Sequence, residues 1–230
     1  MRFFATGTIA LLLALSAGNA ECADEETSTR MQGNGGTKLW VNTWKNKQPD
    51  SGTVKSNNAT LIGWEVDAVF SNRMFVELGY LQSASYYTLE TATPRDIARS
   101  DFDFAVGYQV RHAVGAFVGF RSSQFWDYAS KDKETVSGPL VGLRGKLRLY
   151  DRFSFYYKMV YLPFSDRETF TTTEMSEKAR GWFVASGIRY GISKRFTGAL
   201  GYKYGTSMGA NTKVRDSFGG ATLDVLYSFQ

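Results

Sequence analysis

The chain has 230 residues, one cysteine and one histidine, and its formal net charge at pH 7 is +5. A single cysteine excludes an internal disulfide framework, and one cysteine with one histidine excludes a metal site built from thiolates and imidazoles. Aromatic residues make up 15% of the chain, which also has 23 glycines and only 4 prolines. That composition is typical of strands joined by tight turns rather than of helices.

Residues 1–20 predict a cleaved secretory signal peptide. Arg2 supplies a positive start, the run from Phe3 to Ala17 is apolar but too short to span a membrane as a helix, and Ala20 ends a small-residue cleavage site. Cleavage after Ala23 is an alternative. The predicted route is therefore export from the cytoplasm.

The mature chain is predicted to be a polar, disordered periplasmic lead-in at 21–37 followed by one β-domain at 38–230. The stretch 101–110 shows the domain's pattern, because large apolar residues alternate with small or polar ones along it. A period of two indicates a strand with two unlike faces. Its apolar face is broad and aromatic, and its other face carries carboxylates. That inverted polarity is typical of a barrel that faces lipid outside and water inside.

Ten such segments follow one another in the chain. They cover 38–45, 60–70, 74–84, 101–110, 113–123, 138–149, 153–162, 180–192, 195–204 and 217–229. The connections alternate between long and short, as in up-and-down transmembrane barrels with short periplasmic turns and long external loops. The sequence therefore predicts an all-β, antiparallel, ten-stranded transmembrane barrel with both termini in the periplasm. An eight-stranded barrel is the alternative, because Asn42 and Lys45 interrupt the first segment.

Aromatic residues occur at the two heights expected for interfacial girdles. Those beside the short turns are Phe70, Phe75, Tyr150, Phe153, Tyr190, Phe196, Tyr227 and Phe229. Those beside the long links are Trp40, Trp44, Tyr80, Phe120, Tyr161, Trp182, Tyr202 and Tyr204. All are predicted to face outward. A soluble β-sandwich is less consistent with the pattern, because ten apolar faces would overfill its core.

These features together resemble the small bacterial outer-membrane β-barrel proteins of the Gram-negative cell envelope. In that family the last strand ends in a phenylalanine after alternating apolar residues, and the barrel-assembly machinery reads this pattern. Leu223, Val225, Tyr227 and Phe229 match it, although Gln230 adds one residue beyond the expected end. The resemblance implies that Tyr227 and Phe229 form an assembly signal and that the barrel contacts outer-membrane lipid and lipopolysaccharide.

Ionisable residues on the predicted inner face form two arcs of opposite sign. The acidic arc is Glu65, Asp67, Glu77, Asp101 and Asp103, and Asp224 adds a carboxylate on the last strand. The basic arc is Arg121, Arg144, Lys146, Arg148, Lys158, Arg189 and Lys203. If the arcs touch, they form ion pairs that fill a narrow barrel. If water separates them, they create a field that biases ion passage.

Enzymatic activity is not predicted. The chain resembles the omptin proteases in having ten strands, but those enzymes need a histidine with acidic partners at the outer rim. The lone histidine, His112, lies in a two-residue turn at the opposite end. No metal site and no cofactor are expected. Nucleic-acid binding is not expected either, because most basic residues lie on the predicted inner face.

The expected function is therefore a structural or surface-interaction barrel whose lumen is largely filled by charged side chains. A narrow porin-like channel for ions or small solutes is the alternative, and an outer-membrane enzyme is a distant third. The outward faces look uniformly compatible with lipid, which favours a monomer. The sequence identifies neither a solute nor a partner for the external loops.

Overall fold

The computed structural model describes residues 31–49, 52–90, 94–111, 113–170 and 175–229. The signal peptide, Cys22 and His112 lie outside these residues. The described strands are β1 (Met31–Gln48), β2 (Gly52–Phe70), β3 (Met74–Ser83), β4 (Tyr87–Leu89), β5 (Arg95–Arg111), β6 (Val114–Asp127), β7 (Lys133–Tyr150), β8 (Phe153–Phe170), β9 (Met175–Gly191), β10 (Phe196–Gly209) and β11 (Arg215–Phe229). None of the described residues forms a helix long and apolar enough to cross a membrane.

The strands pair antiparallel with their neighbours along the chain and close into a barrel. β1 pairs with β2 on one side and with β11 on the other, which completes the ring. The short strand β4 continues β3 beyond a bend and lies between β2 and β5. β3 and β4 therefore form a single stave, and the barrel has ten staves. The predicted ten-stranded barrel is confirmed, and the eight-stranded alternative is wrong.

The first strand begins earlier than the sequence indicated. Residues 31–37, predicted to belong to the lead-in, are part of β1: all of them pair with β2, and 33–37 also pair with β11. Their glycines hid this strand, because they break the apolar alternation. At Gly36 glycine is required, since a Cβ atom would lie 2.0 Å from the carbonyl oxygen of Val225 on β11. The small residue therefore allows the two edge strands to close the barrel.

The predicted long links are mostly paired strand. β6 and β7 remain in register from Gly115↔Arg144 to Trp126↔Lys133, and β8 and β9 remain paired out to Thr169↔Met175. Sequence alternation fails here because both faces of the hairpins are polar beyond the apolar band. The barrel wall consequently extends well past the apolar band at the end that has the long connections. We call that end of the barrel the hairpin end, and we call the opposite end, which has the short turns, the short-turn end.

Alternation predicted the faces of most strands correctly. Large apolar side chains such as Val118, Leu200 and Leu223 are exposed on the outside, with 62%, 64% and 51% of their surface accessible. Three girdle predictions are wrong: Trp40, Trp44 and Phe75 point inward and are buried. On β1 the tryptophans share their face with Lys38 and Asn42, so a polar inner face there carries two large aromatic rings.

Candidate functional site

The lumen contains layers of ion pairs and aromatic rings, and the short-turn end has the first of them. Lys38 on β1 forms an ion pair with Glu65 on β2 and lies 3.7 Å from an Asp224 carboxylate oxygen on β11. Below them Asn34 donates to Asp67 at 3.4 Å. Glu65 of the acidic arc and Asp224 on the last strand thus meet at Lys38, a lysine that the sequence reasoning did not include.

A second layer joins the two predicted arcs across the barrel. Glu77 on β3 accepts hydrogen bonds from Arg144 on β7 and Lys158 on β8. The Arg144 guanidinium carbon lies 3.5 Å from the ring centre of Phe75, and the Lys158 ammonium lies 5.3 Å from that of Phe117. Both contacts have cation–π geometry. The aromatic rings therefore accompany the charges into the interior.

The third layer is built around Asp101, whose side chain is 1% exposed. Arg99 donates to its two carboxylate oxygens at 2.8 and 2.9 Å, and Arg121 donates to it at 2.9 Å. Arg121 also lies 3.2 Å from Asp103. Arg121 of the predicted basic arc thus contacts Asp101 and Asp103 of the acidic arc, and this contact lies in the interior because paired strands continue above it.

An aromatic layer lies directly beyond the third ion-pair layer. Phe125 on β6 and Phe218 on β11 belong to diametrically opposite staves, yet their ring centres are 5.6 Å apart and their planes differ by 17°. Trp44 stacks on both rings at 5.6 and 5.8 Å. The Arg99 guanidinium carbon lies 3.8 Å from the centre of Phe218. Side chains from opposite walls are thus in contact at this height.

A fourth set of charges lies nearer the hairpin end. Arg167 on β8 pairs with Glu134 at 3.0 Å and with Asp216 at 3.1 Å. Asp216 also accepts hydrogen bonds from the Trp44 indole at 2.9 Å and from Asn46 at 2.7 Å. Apart from Trp44, these groups lie in segments that the sequence had assigned to loops, so they were not considered as lumen residues.

Four predicted lumen cations have no ion pair that crosses the barrel among the described residues. Arg148 is exposed at the short-turn end and lies 3.7 Å from the equally exposed Asp151. Arg189 lies over Tyr156, with 5.0 Å between the guanidinium carbon and the ring centre. The Lys203 ammonium lies 4.6 Å from the ring centre of Trp40. Lys146 is exposed and contacts no carboxylate within ion-pair distance.

Several lumen residues that the sequence missed had a readable signal. Lys38, Trp40, Asn42 and Trp44 are every second residue of β1 and therefore share one face. The two polar residues on that face indicate that it points into the lumen. Arg99 lies on the same face as Asp101 and Asp103, but it was assigned to a polar link because the residues beside it do not alternate between apolar and polar.

The structure leaves a cavity of about 20 Å³ beside Arg99, room for about one water.

Two carboxylates at the hairpin end hold turns in place. Asp127 forms an ion pair with Arg95 and accepts backbone N–H groups of Ala129 and Ser130. Burial raises the pKa of Asp127, but these hydrogen bonds outweigh burial and the net pKa is lowered. Glu177 on β9 accepts two backbone N–H groups, at 2.9 and 3.0 Å, and the Thr212 hydroxyl from the β10–β11 turn. Its pKa is likewise lowered, since the bonds outweigh its burial.

The described residues contain no group of three or more histidine, cysteine, aspartate or glutamate side chains arranged to hold a metal ion. His112, the predicted turn histidine, lies outside the described part of the chain. The chemistry of the lumen is therefore that of ion pairing, hydrogen bonding and cation–π contact.

Comparison with known proteins identifies the fold. No protein-family model and no curated protein matches the chain in sequence. Among solved structures, the outer membrane protease OmpT of Escherichia coli is similar over 89% of this chain and 99% of its own, with a TM-score of 0.61 and 11% identity. The Neisserial surface protein NspA and the attachment invasion locus protein Ail of Yersinia pestis superimpose more loosely. NspA has a TM-score of 0.34 and 13% identity over 83% of this chain and 96% of its own. Ail has a TM-score of 0.34 and 11% identity over 86% of this chain and 99% of its own. The chain thus has the fold of an outer-membrane β-barrel.

Proposed function

We propose that the chain is an integral outer-membrane barrel whose lumen is closed to solutes and whose hairpin end acts in structural or surface interactions. One observation carries this proposal: Phe125 and Phe218 stack across the full diameter at 5.6 Å, next to the buried Arg99–Asp101 pair. A hydrated solute cannot pass between two stacked rings whose centres are 5.6 Å apart. Ions would also lose hydration there without gaining free partners.

The outer membrane is the proposed location because of the fold and the exposed apolar band on the outside. We propose that the short-turn end and both termini face the periplasm and that the hairpin end faces the exterior. A monomer follows from the recurrence of exposed apolar residues on all sides of the barrel. Tyr227 and Phe229 are the proposed signal for the assembly machinery.

Cysteine labelling in whole cells tests this orientation. In a Cys22→Ser background, Ala129→Cys places a thiol in the β6–β7 turn and Lys194→Cys places one in the β9–β10 turn. Both positions are exposed. We expect a membrane-impermeant maleimide to label the first variant in intact cells and the second only after the outer membrane is opened. Labelling of Lys194→Cys alone in intact cells would reverse the orientation.

A narrow channel is the second candidate, and the inward cations without ion pairs support it. Lys146 and Lys203 would favour anions if water filled the space beside them. Enzymatic activity is not part of the proposal, because the predicted turn position of His112 leaves it far from the hairpin end. The two candidates make opposite predictions for solute flux.

Flux into proteoliposomes tests closure of the lumen. Vesicles that contain the refolded wild-type chain should exclude chloride and small sugars to the same extent as protein-free vesicles. The double variant Phe125→Ala/Phe218→Ala removes both stacked rings and should raise chloride flux above that of the wild type. Phe153→Ala/Phe196→Ala, which removes two exposed outward rings, is the matched control and should leave flux unchanged. Wild-type flux clearly above that of empty vesicles would favour the channel.

A further inference from the structure

Four basic side chains lie close together on the outside of the hairpin end. Lys45 and Lys47 are on β1, Lys55 is on β2 and Arg215 is on β11, and all four are exposed. We call these four residues the basic patch. None of them forms an ion pair with the described part of the chain. The patch is therefore a cluster of unneutralised positive charge on three adjacent strands.

The register of the strands places like charges directly opposite one another. Lys45 pairs with Lys55, and Lys47 pairs with Arg215. Side chains in such positions have Cβ atoms about 5 Å apart, and like charges there destabilise a sheet. Two consecutive pairs of this kind are unfavourable for the isolated barrel. An anion bound between the strands would remove the repulsion.

The described carboxylates near the patch do not neutralise it. Asp216 faces inward, where it binds Trp44, Asn46 and Arg167. Glu90 donates its backbone N–H to the Lys55 carbonyl at 2.9 Å, but its carboxylate forms no ion pair with that lysine. Asp50, which follows β1 in the sequence, lies outside the described residues.

The height of the patch matches that of lipid phosphates. On β11 the exposed apolar residues end at Ala221, and Gly219, two residues nearer the hairpin end, pairs with Tyr204 of the aromatic girdle. Arg215 lies four residues further along the strand, about 13 Å away. With a strand tilt near 40° this is about 10 Å above the girdle. Phosphate groups of a lipid surface lie just above the interfacial aromatic belt.

We propose that the basic patch binds the phosphate groups of phosphorylated lipids in the outer leaflet. The proposal rests on the membrane location proposed above. The lysines supply point charges, while Arg215 keeps its terminal guanidinium nitrogens for a phosphate, since its Nε donates to Thr206 at 3.0 Å. The lipid anion converts the two repulsive pairs into a shared binding site, so that the barrel is more stable where such lipid is present.

Thermal unfolding in defined vesicles tests this proposal. The wild-type chain is refolded in phosphatidylcholine vesicles, with or without phosphatidic acid, and the unfolding midpoint is read from heat-modifiable gel migration. We expect phosphatidic acid to raise the midpoint of the wild type by about 4–8 °C. Lys45→Gln/Lys47→Gln, which removes one charge from each repulsive pair, should lose at least half of this rise.

A matched control separates the patch from general surface charge. Lys131→Gln/Lys178→Gln removes two exposed lysines from the same end but away from the patch, one in the β6–β7 turn and one on β9, and Lys178 already pairs with Asp166. This variant should keep the wild-type rise. In pure phosphatidylcholine at low salt, Lys45→Gln/Lys47→Gln should unfold at a higher temperature than the wild type, because the repulsion is gone.

Three results would overturn the proposal. One is an equal rise in the patch variant and the wild type. Another is an equal loss in the control variant. The third is a full rise produced by inorganic pyrophosphate in phosphatidylcholine vesicles, which would make a free phosphate the ligand. Failure of every variant to show a heat-modifiable band would instead contradict the membrane barrel itself, so the two failures are distinguishable.

Discussion

Asp101 would destabilise the barrel if its carboxylate stood alone, because a buried charge needs compensation. Three guanidinium hydrogen bonds from Arg99 and Arg121 supply that compensation. Arg99 in turn lies over Phe218 on the far side of the lumen. The buried side chain of Arg99 thus connects Asp101 on one wall of the barrel to Phe218 on the other.

Replacing Asp101 with asparagine removes the charge while keeping the size of the side chain. Two buried guanidinium groups then lose their main partner, so we expect the free energy of unfolding to fall by about 3–5 kcal/mol. Urea-induced unfolding in vesicles, followed by tryptophan fluorescence, measures this change. Asp166→Asn breaks the exposed pair with Lys178 and should cost less than about 1 kcal/mol. An equal loss in the two variants would show that burial of the Asp101 pair is unimportant.

Individual faces were predictable from the sequence wherever the two faces of a strand differed in polarity. Asp101, Glu77 and Arg144 were predicted inward for that reason, and they face inward. Trp40, Trp44 and Phe75 were predicted outward because large aromatic rings are typical of lipid-facing girdles. Alternation cannot show that an aromatic ring pairs with a buried cation, since that contact joins strands far apart in the chain.

At the scale of elements, the strands are longer than the hydrocarbon of a membrane requires. β8 and β9 continue as a paired hairpin above the apolar band, where Arg167↔Glu177 and Thr169↔Met175 face each other. The sequence did not predict these extensions, because polar residues on both faces hide the period of two. Cross-strand hydrogen bonds form regardless of polarity, so the hairpins stay ordered outside the apolar band.

Glu177 links β9 to the turn between β10 and β11, and this link should depend on pH. Its pKa is lowered in the folded chain, so its stabilisation is present above about pH 4.3, the pKa of a free glutamate, and is lost as the pH falls through the folded value. We expect amide protection at Asn211 and Thr212 to fall on acidification. Hydrogen exchange, corrected for the intrinsic rate, measures this. Glu177→Gln should abolish the pH dependence.

Asp127→Asn provides the control for that measurement. Asp127 binds the amides of Ala129 and Ser130 in a different turn. Its replacement should reduce protection there and leave Asn211 and Thr212 unchanged. A normal pH profile at Asn211 and Thr212 in Glu177→Gln would show that the carboxylate does not hold the turn.

Closure of the barrel between β1 and β11 depends on Gly220. A Cβ atom at this position would lie 1.9 Å from the Val41 carbonyl oxygen and 2.5 Å from the Asn42 Cα atom. Gly220→Ala should therefore lower the free energy of unfolding by about 1–3 kcal/mol, as other overpacked sites do. Gly79→Ala, whose Cβ atom would approach nothing closer than 3.7 Å, should change stability by less than about 0.5 kcal/mol.

Urea-induced unfolding measures the Gly220 and Gly79 variants side by side. If both lose the same stability, a general glycine effect explains the result and the close approach of β1 to β11 does not. The full length of this seam could not be predicted from the sequence, because the first part of β1 contains glycines and no apolar alternation.

At the scale of the whole molecule, strand number and fold class followed from the sequence, whereas the individual contacts inside the lumen did not. The count of ten strands depended on the alternation of long and short connections. That alternation does not change when the predicted ends of individual strands are wrong by a few residues. Whether the lumen is open or closed depends on which side chains from the ten staves contact one another across it. Residues such as Phe125 and Phe218, far apart in the chain, become neighbours only when the ring closes.

Closure of the lumen is the central claim, and single-channel recording tests it most directly. The refolded wild-type chain, reconstituted in a planar bilayer at about 100 mV, should show no discrete conductance steps. The same holds for Arg144→Gln, since the stacked rings above Glu77 remain in place. Stable steps in the wild type, with a size that changes in Arg144→Gln, would contradict closure and establish a conducting lumen that passes this charged layer.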